Sequence, residues 1–331
     1  MKSPSRVLSG MRPTGALHLG HYHGALKNWV RLQDSHDCFF FVADWHALTT
    51  AREHREGLEQ NVYDMVVDWL AAGVDPEKAT LFIQSRMPEH AELFTLLAMS
   101  TPTAWLERIP SYKAHLEEDR EPPNFGFLGY PLLQAADILI YKAGLVPVGE
   151  DQAAHVEFTR EVARRFNRLH SPDAPILPEP QELLTETARL PGLDGRKMSK
   201  SYGNAIAMRD APAVVEDKIR TMPTDPQRVR RSDAGEPARC PVWPLHELYT
   251  DEVTRHSLAQ GCRSAGIGCL DCKQPLIDAV LKEQQPWRER ADQYLANPKQ
   301  VHWIVEVGTE RARGIARKTL REVRHAIGLD Y

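Results

Sequence analysis

An unbroken apolar run, Cys38-Phe39-Phe40-Phe41-Val42-Ala43, leads directly into the more polar sequence Asp44-Trp45-His46. A continuous apolar run is typical of a parallel strand that is covered on both faces. In open parallel sheets the ligand crevice lies outside the carboxyl ends of the strands, where Asp44 and His46 would stand. An aspartate at a strand end is often simply a helix N-cap, so this position alone leaves both interpretations open.

Further strand and helix patterns alternate around this run. The other predicted strands are residues 7–11, 79–84 and 145–148. The predicted helices of this half are residues 58–72, 89–99 and 105–118, and one that starts near Pro131. This alternation predicts an α/β fold with a Rossmann-type, doubly wound parallel sheet. Beyond Tyr202 the pattern is mainly helical, over residues 210–220, 274–282, 286–295, 301–307 and 309–327.

The length and composition are those of an ordinary globular protein. A chain of 331 residues, 42% apolar and 26% charged, favours one large domain and one smaller domain. We expect them to be residues 1–200 and 201–331, with the last helix able to pack back on the first domain. The most apolar segment, residues 138–148, is interrupted by Lys142, Gly144 and Pro147, and the N-terminus lacks the apolar core of a secretory signal. A soluble, cytoplasmic protein is expected.

The net charge of −4 conceals a local asymmetry. Residues 311–324 carry many basic side chains and a single acid, Glu322, and a second basic cluster comprises Arg228, Arg230 and Arg231. If RNA is a partner, these two clusters are where we expect its phosphates.

The sequence His18-Leu19-Gly20-His21 follows a turn signal, Arg12-Pro13-Thr14-Gly15, and begins a segment with helical spacing. The free N–H groups and the positive end of a helix dipole favour a phosphate at such a junction. The two histidines, three residues apart, would project on one side of the first turn. Two histidines that flank a glycine are also found as ordinary capping and packing residues.

A second basic motif, Lys197-Met198-Ser199-Lys200-Ser201, follows a loop-like, glycine-containing run over residues 191–196. Two ammonium groups and two hydroxyls suit a polyphosphate, because all of them donate hydrogen bonds and two carry positive charge. Taken alone, the motif is equally consistent with a solvated surface turn.

Two further segments place polar groups beside apolar ones. Tyr130, Gln134 and Asp137 fall on one face of the helix predicted near Pro131, and Asp137 has apolar neighbours in sequence. A buried carboxylate needs a donor, which would be a lysine, a backbone amide or a ligand N–H. The strand at residues 145–148 leads into Gly149-Glu150-Asp151-Gln152, whose acids would hold a ribose hydroxyl or cap the next helix.

Four of the five cysteines lie close together in the C-terminal half, as Cys240-x21-Cys262-x6-Cys269-x2-Cys272, whereas Cys38 lies in an apolar run and is expected in the core. In an intracellular protein such clustering favours a metal over disulfides. Four thiolates serve either zinc or iron, so the spacing leaves the metal open, as well as empty thiols.

The two basic motifs, their order and the helical second half together resemble the class I aminoacyl-tRNA synthetases. Within that class the chain is similar to the tryptophanyl-tRNA synthetases along nearly its whole length. The resemblance includes residues 9–15, 39–46, 129–141, 147–155 and 195–204, and extends to Thr224-Asp225-Pro226 and Arg231-Ser232-Asp233. It implies that tryptophan is activated with ATP and Mg2+ and then transferred to tRNA-Trp.

The resemblance also implies site residues. The catalytic residues are His18, His21, Lys197 and Lys200. The ATP-binding residues are Arg12, Thr14, Gly20, Lys113, Gly149, Asp151, Met198, Ser199 and Ser201. The tryptophan-binding residues are His46, Tyr130, Gln134, Asp137 and Gln152, with Asp137 accepting the indole N–H. Arg12 and Gln134 stand where many relatives carry glutamine and methionine.

A subset of the bacterial members carries a similar set of four cysteines, which holds a [4Fe–4S] cluster. The resemblance to this subset implies such a cluster in the anticodon-binding second domain, with Zn2+ as the alternative. A homodimer is also implied. Three rival functions remain: a tyrosyl-tRNA synthetase, a synthetase-derived RNA-binding or regulatory protein, and a small nucleotidyltransferase. The last would leave the helical second half without a role.

Overall fold

The computed structural model describes residues 5–49, 57–118, 123–149, 152–184 and 190–331. Within them, five strands form one parallel sheet in the order β3-β2-β1-β4-β5. The strands are β1 (Arg6–Met11), β2 (Asp37–Val42), β3 (Ala79–Ile83), β4 (Leu145–Val148) and β5 (Gln181–Leu184). The predicted Rossmann-type sheet is confirmed, and the strand order reverses between β1 and β4.

Helices connect the strands and continue through the second half. The first set is α1 (Leu19–His21), a π-helical turn (Tyr22–Leu26), α2 (Lys27–Leu32), α3 (Asp44–Leu48), α4 (Leu58–Ala72), α5 (Pro88–Ala98), α6 (Thr103–Glu107), α7 (Pro110–Glu118), α8 (Phe125–Ile140) and α9 (Ala153–His170). The second set is α10 (Pro212–Thr221), α11 (Trp243–Tyr249), α12 (Glu252–Arg263), α13 (Cys269–Ala296) and α14 (Pro298–Ala326).

Several predicted helix boundaries were wrong, and proline is the common reason. The helix expected near Pro131 begins at Phe125, where the Asn124 side chain caps it, and Pro131 lies inside it. The segment at residues 105–118 is two helices, because Pro110 begins the second. Conversely, Pro275 and Pro286 lie within the single long helix α13.

The apolar run that begins at Cys38 separates two cores. Cys38, Phe40 and Val42 face one side of the sheet, where Phe40 stacks on Trp29 with ring centroids 4.2 Å apart. Phe39 faces the other side and stacks on Tyr141 at 5.2 Å. Both faces of β2 are therefore covered, as the unbroken apolar run predicts.

The last helix, α14, packs directly on the sheet beside β3. At Gly308 the contact is so close that a Cβ atom would lie 1.9 Å from the carbonyl oxygen of Leu81. The basic run on this helix forms ion pairs with acids of the first half: Arg311 with Asp37, Arg317 with Glu89 and Arg324 with Glu92. These three arginines are therefore paired within the chain although their side chains are 45–63% exposed, and the expectation that this run meets RNA phosphates stays a prediction.

No helix in the described part of the chain is both long and apolar enough to cross a membrane.

Candidate functional site

A cavity of about 650 Å³ opens at the carboxyl ends of β1 and β4, where the strand order reverses. Parallel sheets bind ligands at this point because the two neighbouring connections leave on opposite faces. Nine of the site residues predicted from the sequence line it: Arg12, Thr14, His21, His46, Tyr130, Gln134, Asp137, Gly149 and Gln152. The sheet therefore brings together residues from five separate parts of the sequence.

The first of the two motifs, here called the first signature motif, is His18–His21 and lies where β1 passes into α1. The ring of His18 lies against that of His21, with centroids 3.7 Å apart. The backbone N–H of His18 donates to Nδ1 of the His21 ring at 3.2 Å. Because Nδ1 of His21 accepts this bond, its neutral ring carries its proton on Nε2. Burial, and then the charges of nearby cations, lower the pKa of His18 to about 4 and that of His21 to about 3. Both rings are therefore neutral at pH 7.

The second signature motif, Lys197–Ser201, contains two lysines that differ in the exposure of their ammonium groups. The Lys200 ammonium is buried and, within the described chain, has no hydrogen-bond partner, as is also true of Nδ1 of His18. Burial lowers the pKa of Lys200 to about 8, although the charge of Asp68 opposes this shift. Lys197 is exposed. An ammonium held away from water without a partner is suited to bind an incoming anion.

Backbone pairing joins the segment of the first motif to the residues that follow the second motif. The Leu19 N–H donates to the Ile206 carbonyl at 3.0 Å, and the Met208 N–H donates to the Leu17 carbonyl at 2.8 Å. Gly15, at φ +107°, lies against Lys200, since a Cβ there would be 3.4 Å from Nζ. The segments that carry His18 and Lys200 are thus adjacent, although nearly two hundred residues separate them in sequence.

The remaining residues of the loop have structural contacts. Met198 is buried, and a Cβ on Gly20 would lie 3.8 Å from its Cβ. The Ser199 N–H donates to Asn204 at 2.8 Å, while the hydroxyls of Ser199 and Ser201 lie 2.9 Å apart. Met198 thus packs against the first motif, while the contacts of Ser199 lie within the loop.

Asp137 is fully buried at the cavity wall and accepts four hydrogen bonds. Gln84 donates to both oxygens at 3.0 and 2.9 Å, His90 donates to Oδ1 at 2.6 Å, and His46 donates to Oδ2 at 2.8 Å. Burial alone would raise the pKa of Asp137, but the bonds from His46 and His90 outweigh it and lower the pKa to about 2. The carboxylate is therefore ionised, and its four acceptor positions are filled.

Two of these donors, Gln84 and His90, were missed in the sequence, where a lysine, a backbone amide or a ligand N–H was considered. Gln84 directly follows β3, so its position at the carboxyl end of a strand was an available signal. His90 lies on the buried side of α5, and its Nε2 lies 2.6 Å from the Tyr141 hydroxyl. Nothing in its spacing distinguishes it from a core histidine.

A second polar network occupies another wall of the cavity. The Tyr130 hydroxyl lies 2.5 Å from the Ser111 hydroxyl and 3.0 Å from Nε2 of His155. Nδ1 of His155 lies 2.8 Å from the side-chain oxygen of Gln152. Tyr130 and Gln152 are thus linked through His155, which was not among the site residues predicted from the sequence.

Some predicted residues lie elsewhere. Lys113 is exposed on α7 and, among the described residues, is not part of the cavity lining. Ser201 is likewise exposed. Asp151 lies outside the described residues.

The four cysteines Cys240, Cys262, Cys269 and Cys272 line one small cavity of about 30 Å³, and none forms a disulfide. Burial, and then the other three cysteines, raise the pKa of Cys272 to about 12. Arg228 donates to Sγ of Cys269 at 3.7 Å. In the described ranges, however, no three Asp, Glu, His or Cys side chains meet as ligands of one metal ion.

Comparisons with known proteins agree on one family. A profile described as "tRNA synthetases class I (W and Y)" matches residues 1–283. The tryptophan–tRNA ligase of Ralstonia nicotianae is 54% identical, over 99% of this chain and 99% of that protein. The corresponding ligase of Thermotoga maritima is 48% identical, over 98% of this chain and 100% of that protein. The crystal structure of a Campylobacter jejuni tryptophanyl-tRNA synthetase with ADP and tryptophan is 33% identical, with a TM-score of 0.88 over 98% of this chain and 100% of that one.

Proposed function

The chain belongs to the class I tRNA synthetases of the tryptophan and tyrosine family, and from this premise we infer that its reaction is the ATP-dependent ligation of tryptophan to tRNA. It activates tryptophan to tryptophanyl-AMP with release of pyrophosphate and then transfers tryptophan to tRNA-Trp. Tryptophan rather than tyrosine is favoured because the relatives that match nearly the whole chain are tryptophan–tRNA ligases. One structural observation supports the function: the unpartnered, buried Lys200 ammonium lies beside the segment of His18 and His21, and His21 lines a cavity whose wall contains the ionised, buried carboxylate of Asp137.

We assign the phosphates of ATP, bound as its Mg2+ complex, to the two signature motifs. Neutral His18 and His21 would donate ring N–H groups, while Lys200 and the exposed Lys197 would contribute positive charge. A carboxylate oxygen of tryptophan attacks the α-phosphorus as the bond from that phosphorus to pyrophosphate breaks. No proton is transferred in this step, so these residues would act through position and charge.

Other residues would complete the ATP site. They are the cavity residues Arg12, Thr14 and Gly149, the motif residues Gly20, Met198, Ser199 and Ser201, and also Lys113 and Asp151. The cavity position of the first three supports the assignment. For Gly20 the support is steric, since a Cβ there would lie 3.0 Å from the His18 ring and would displace it.

Tryptophan would be recognised through Asp137, with the indole N–H donating to its carboxylate. His46, Tyr130, Gln134 and Gln152 would line the pocket. The phenyl ring of phenylalanine has no N–H to donate, and a site built around a buried polar partner rejects such an analogue by about 10⁴–10⁵-fold. Discrimination of this size needs no editing domain.

For the indole to bind in this way, one present donor must leave Asp137, because all four acceptor positions are filled. His46 is the best candidate: it lines the cavity and is 8% exposed, whereas Gln84 and His90 are completely buried. We therefore propose that His46 turns away from Oδ2 when tryptophan enters.

The same proposal divides the chain into two domains. Residues 1–200 would carry catalysis, and residues 201–331 would bind the tRNA anticodon, with α14 packed on the catalytic sheet. The helical character of residues 212–326 supports this division. A homodimer is implied by the family, and light scattering of the purified protein would test it.

We further propose that the four cysteines hold a [4Fe–4S] cluster that fixes the surrounding loops. A single zinc ion draws its thiolates to about 2.3 Å from one point, and the described thiols do not converge in that way. A four-iron cluster binds each thiolate through a different iron and tolerates wider spacing. Arg228 and Lys273, both buried beside the thiols, supply positive charge that suits an anionic cluster.

Amino-acid-dependent exchange of pyrophosphate into ATP tests the function. We expect exchange with tryptophan and none above background with tyrosine or phenylalanine. Exchange with tyrosine alone would identify the tyrosine enzyme. Retained tRNA binding without any exchange would indicate an RNA-binding protein derived from a synthetase.

Iron and sulfide analysis of anaerobically purified protein tests the cysteine site. Iron and acid-labile sulfide in equal amounts, about four of each per chain, are expected for the cluster. One zinc per chain would contradict it.

A further inference from the structure

A buried ion pair lies behind the ATP site, between α4 and the segment that follows the second signature motif. The side chain of Asp68 is 1% exposed, and its Oδ1 lies 2.6 Å from Nε of Arg209. Oδ2 of Asp68 accepts a hydrogen bond from the Leu17 N–H at 3.1 Å. One carboxylate thus contacts the residue that precedes His18 and a residue downstream of Lys200.

These two contacts flank the backbone pairing that joins the motifs. The Met208 N–H donates to the Leu17 carbonyl at 2.8 Å, so Leu17 is bonded both to Asp68 and to the neighbour of Arg209. Leu17, Asp68 and the pair Met208–Arg209 are therefore connected in a ring of three contacts. Movement of either segment away from the other would break the ion pair or the amide bond.

Asp68 also acts on Lys200 through charge. Lys200 has a buried ammonium with no hydrogen-bond partner in the described chain, and Asp68 opposes the fall in its pKa caused by burial. The carboxylate thus helps Lys200 to remain protonated before any phosphate is bound.

Stability alone is a weak reason to bury such a pair. Replacing a buried ion pair by apolar residues of similar volume is often neutral or stabilising, because the charges need not be desolvated. A role in placing the phosphate-binding groups accounts for the pair more directly.

We propose that Asp68 is a positioning residue of the ATP site, which holds the two phosphate-binding segments together through Arg209 and the Leu17 amide. This inference rests on the proposed function, because it concerns the same ATP site. It predicts that the ion pair affects the binding of ATP and leaves the binding of tryptophan nearly unchanged.

Three variants and a control distinguish a role in positioning the phosphate-binding segments from a role in the stability of the fold. Asp68→Asn removes the charge but keeps an oxygen that can accept from Leu17. Arg209→Gln removes the cation at a side chain that is 21% exposed, so the variant is expected to fold. The double variant Asp68→Leu/Arg209→Leu replaces the pair by apolar groups. Asp64→Asn is the matched control, since Asp64 also bonds to Arg209, at 3.0 Å, but contacts neither motif.

The measurements are KM for ATP and for tryptophan in pyrophosphate exchange, hydrogen exchange at the Leu19 and Met208 amides, and thermal unfolding. We expect about a tenfold rise in KM for ATP in Asp68→Asn and Arg209→Gln, with KM for tryptophan changed by less than about twofold. Both amides should exchange faster in these variants, and Asp64→Asn should resemble the wild type. The double variant should keep the raised KM for ATP, and it should unfold somewhat below the wild-type temperature, because the buried Leu17 N–H loses its acceptor.

A wild-type KM for ATP in Arg209→Gln or in the double variant would overturn the inference and leave the pair with a structural role only. In that case the wild-type exchange activity shows that the proposed function still stands. If the wild-type protein itself exchanges no pyrophosphate with tryptophan, the proposed function fails and this inference fails with it.

Discussion

Nε2 of His46 lies 2.8 Å from Oδ2 of Asp137, and this bond fills the last acceptor position of a completely buried carboxylate. An ionised carboxylate only accepts hydrogen bonds, so His46 carries its proton on Nε2. The proposed specificity group of the pocket is therefore preorganised and has all its acceptor positions filled in this structure. Binding of an indole N–H would then exchange one donor for another.

The first prediction concerns Asp137→Asn. The variant loses the charge that the indole N–H would meet, and a hydrogen bond to a charged group is worth about 1.5–3 kcal/mol. We expect kcat/KM for tryptophan to fall by about 10- to 150-fold, while KM for ATP stays nearly constant. Amino-acid-resolved pyrophosphate exchange is the measurement.

Tyr141→Phe is the matched control, because it removes the hydroxyl bonded to the far side of His90 and leaves both oxygens of Asp137 untouched. Its tryptophan kinetics should stay close to those of the wild type. An Asp137→Asn enzyme with an unchanged kcat/KM for tryptophan would disprove the assigned pocket.

The surroundings of Asp137 mark the limit of prediction from this sequence. Helical spacing placed Tyr130, Gln134 and Asp137 on one face, and all three line the cavity. The donors Gln84 and His90 come from two other elements, so no periodicity within one helix could find them. Local pattern identifies the acceptor, whereas its partners depend on how the sheet and α5 pack together.

The second prediction concerns Lys200. Lys200→Ala removes one preorganised cation from the leaving pyrophosphate and should lower kcat for activation by about 10²–10³-fold. The choice between tryptophan and tyrosine should not change, because Lys200 is not part of the pocket that holds Asp137. Single-turnover formation of the adenylate with each amino acid measures both effects. A change in the preferred amino acid would contradict this division of roles.

The third prediction is a pH dependence from the same residue. Lys200 has its pKa lowered to about 8, so free enzyme loses this charge as the pH rises through 8, and KM for ATP should rise there. Folding stability should increase over the same pH range, although the binding of ATP weakens. Between pH 8 and about 10.4 the unfolded chain binds more protons at Lys200 than the folded chain does, so this residue's contribution to the free energy of unfolding grows. Lys200→Arg should abolish the rise in KM for ATP, because arginine stays charged.

The helices were less predictable than the strands, and the prolines explain why. The apolar runs at residues 38–43 and 145–148 matched β2 and β4 because buried parallel strands leave a continuous apolar signal. β5 was missed, since Gln181-Glu182 begins it with two polar residues at a sheet edge. Pro110 begins a helix whereas Pro286 lies within one, and only the packing around each decides between these outcomes.

The fourth prediction concerns the cysteine site. Cys272→Ser should lose the metal and lower the thermal stability, because a buried site loses one of its four thiolates. Cys38→Ala is the matched control: Cys38 is buried in the sheet, apart from the other four, and its loss should leave iron and sulfide content unchanged. Metal analysis of both variants, purified anaerobically, is the measurement. Full iron and sulfide content in Cys272→Ser would contradict the four-cysteine assignment.

The fifth prediction concerns the contact between α14 and the sheet. In Gly308→Ala the new Cβ would lie 1.9 Å from the Leu81 carbonyl oxygen, so helix and strand must separate and the ion pairs along α14 must shift. We expect a loss of at least about 1–3 kcal/mol in the free energy of unfolding, the usual effect of overpacking. Gly314→Ala on the same helix is the control. A Cβ there meets nothing within 4 Å, so it should stabilise the helix by about 0.5–1 kcal/mol. Denaturant unfolding of both variants measures the difference, and equal stabilities would show that α14 does not pack on β3 as described.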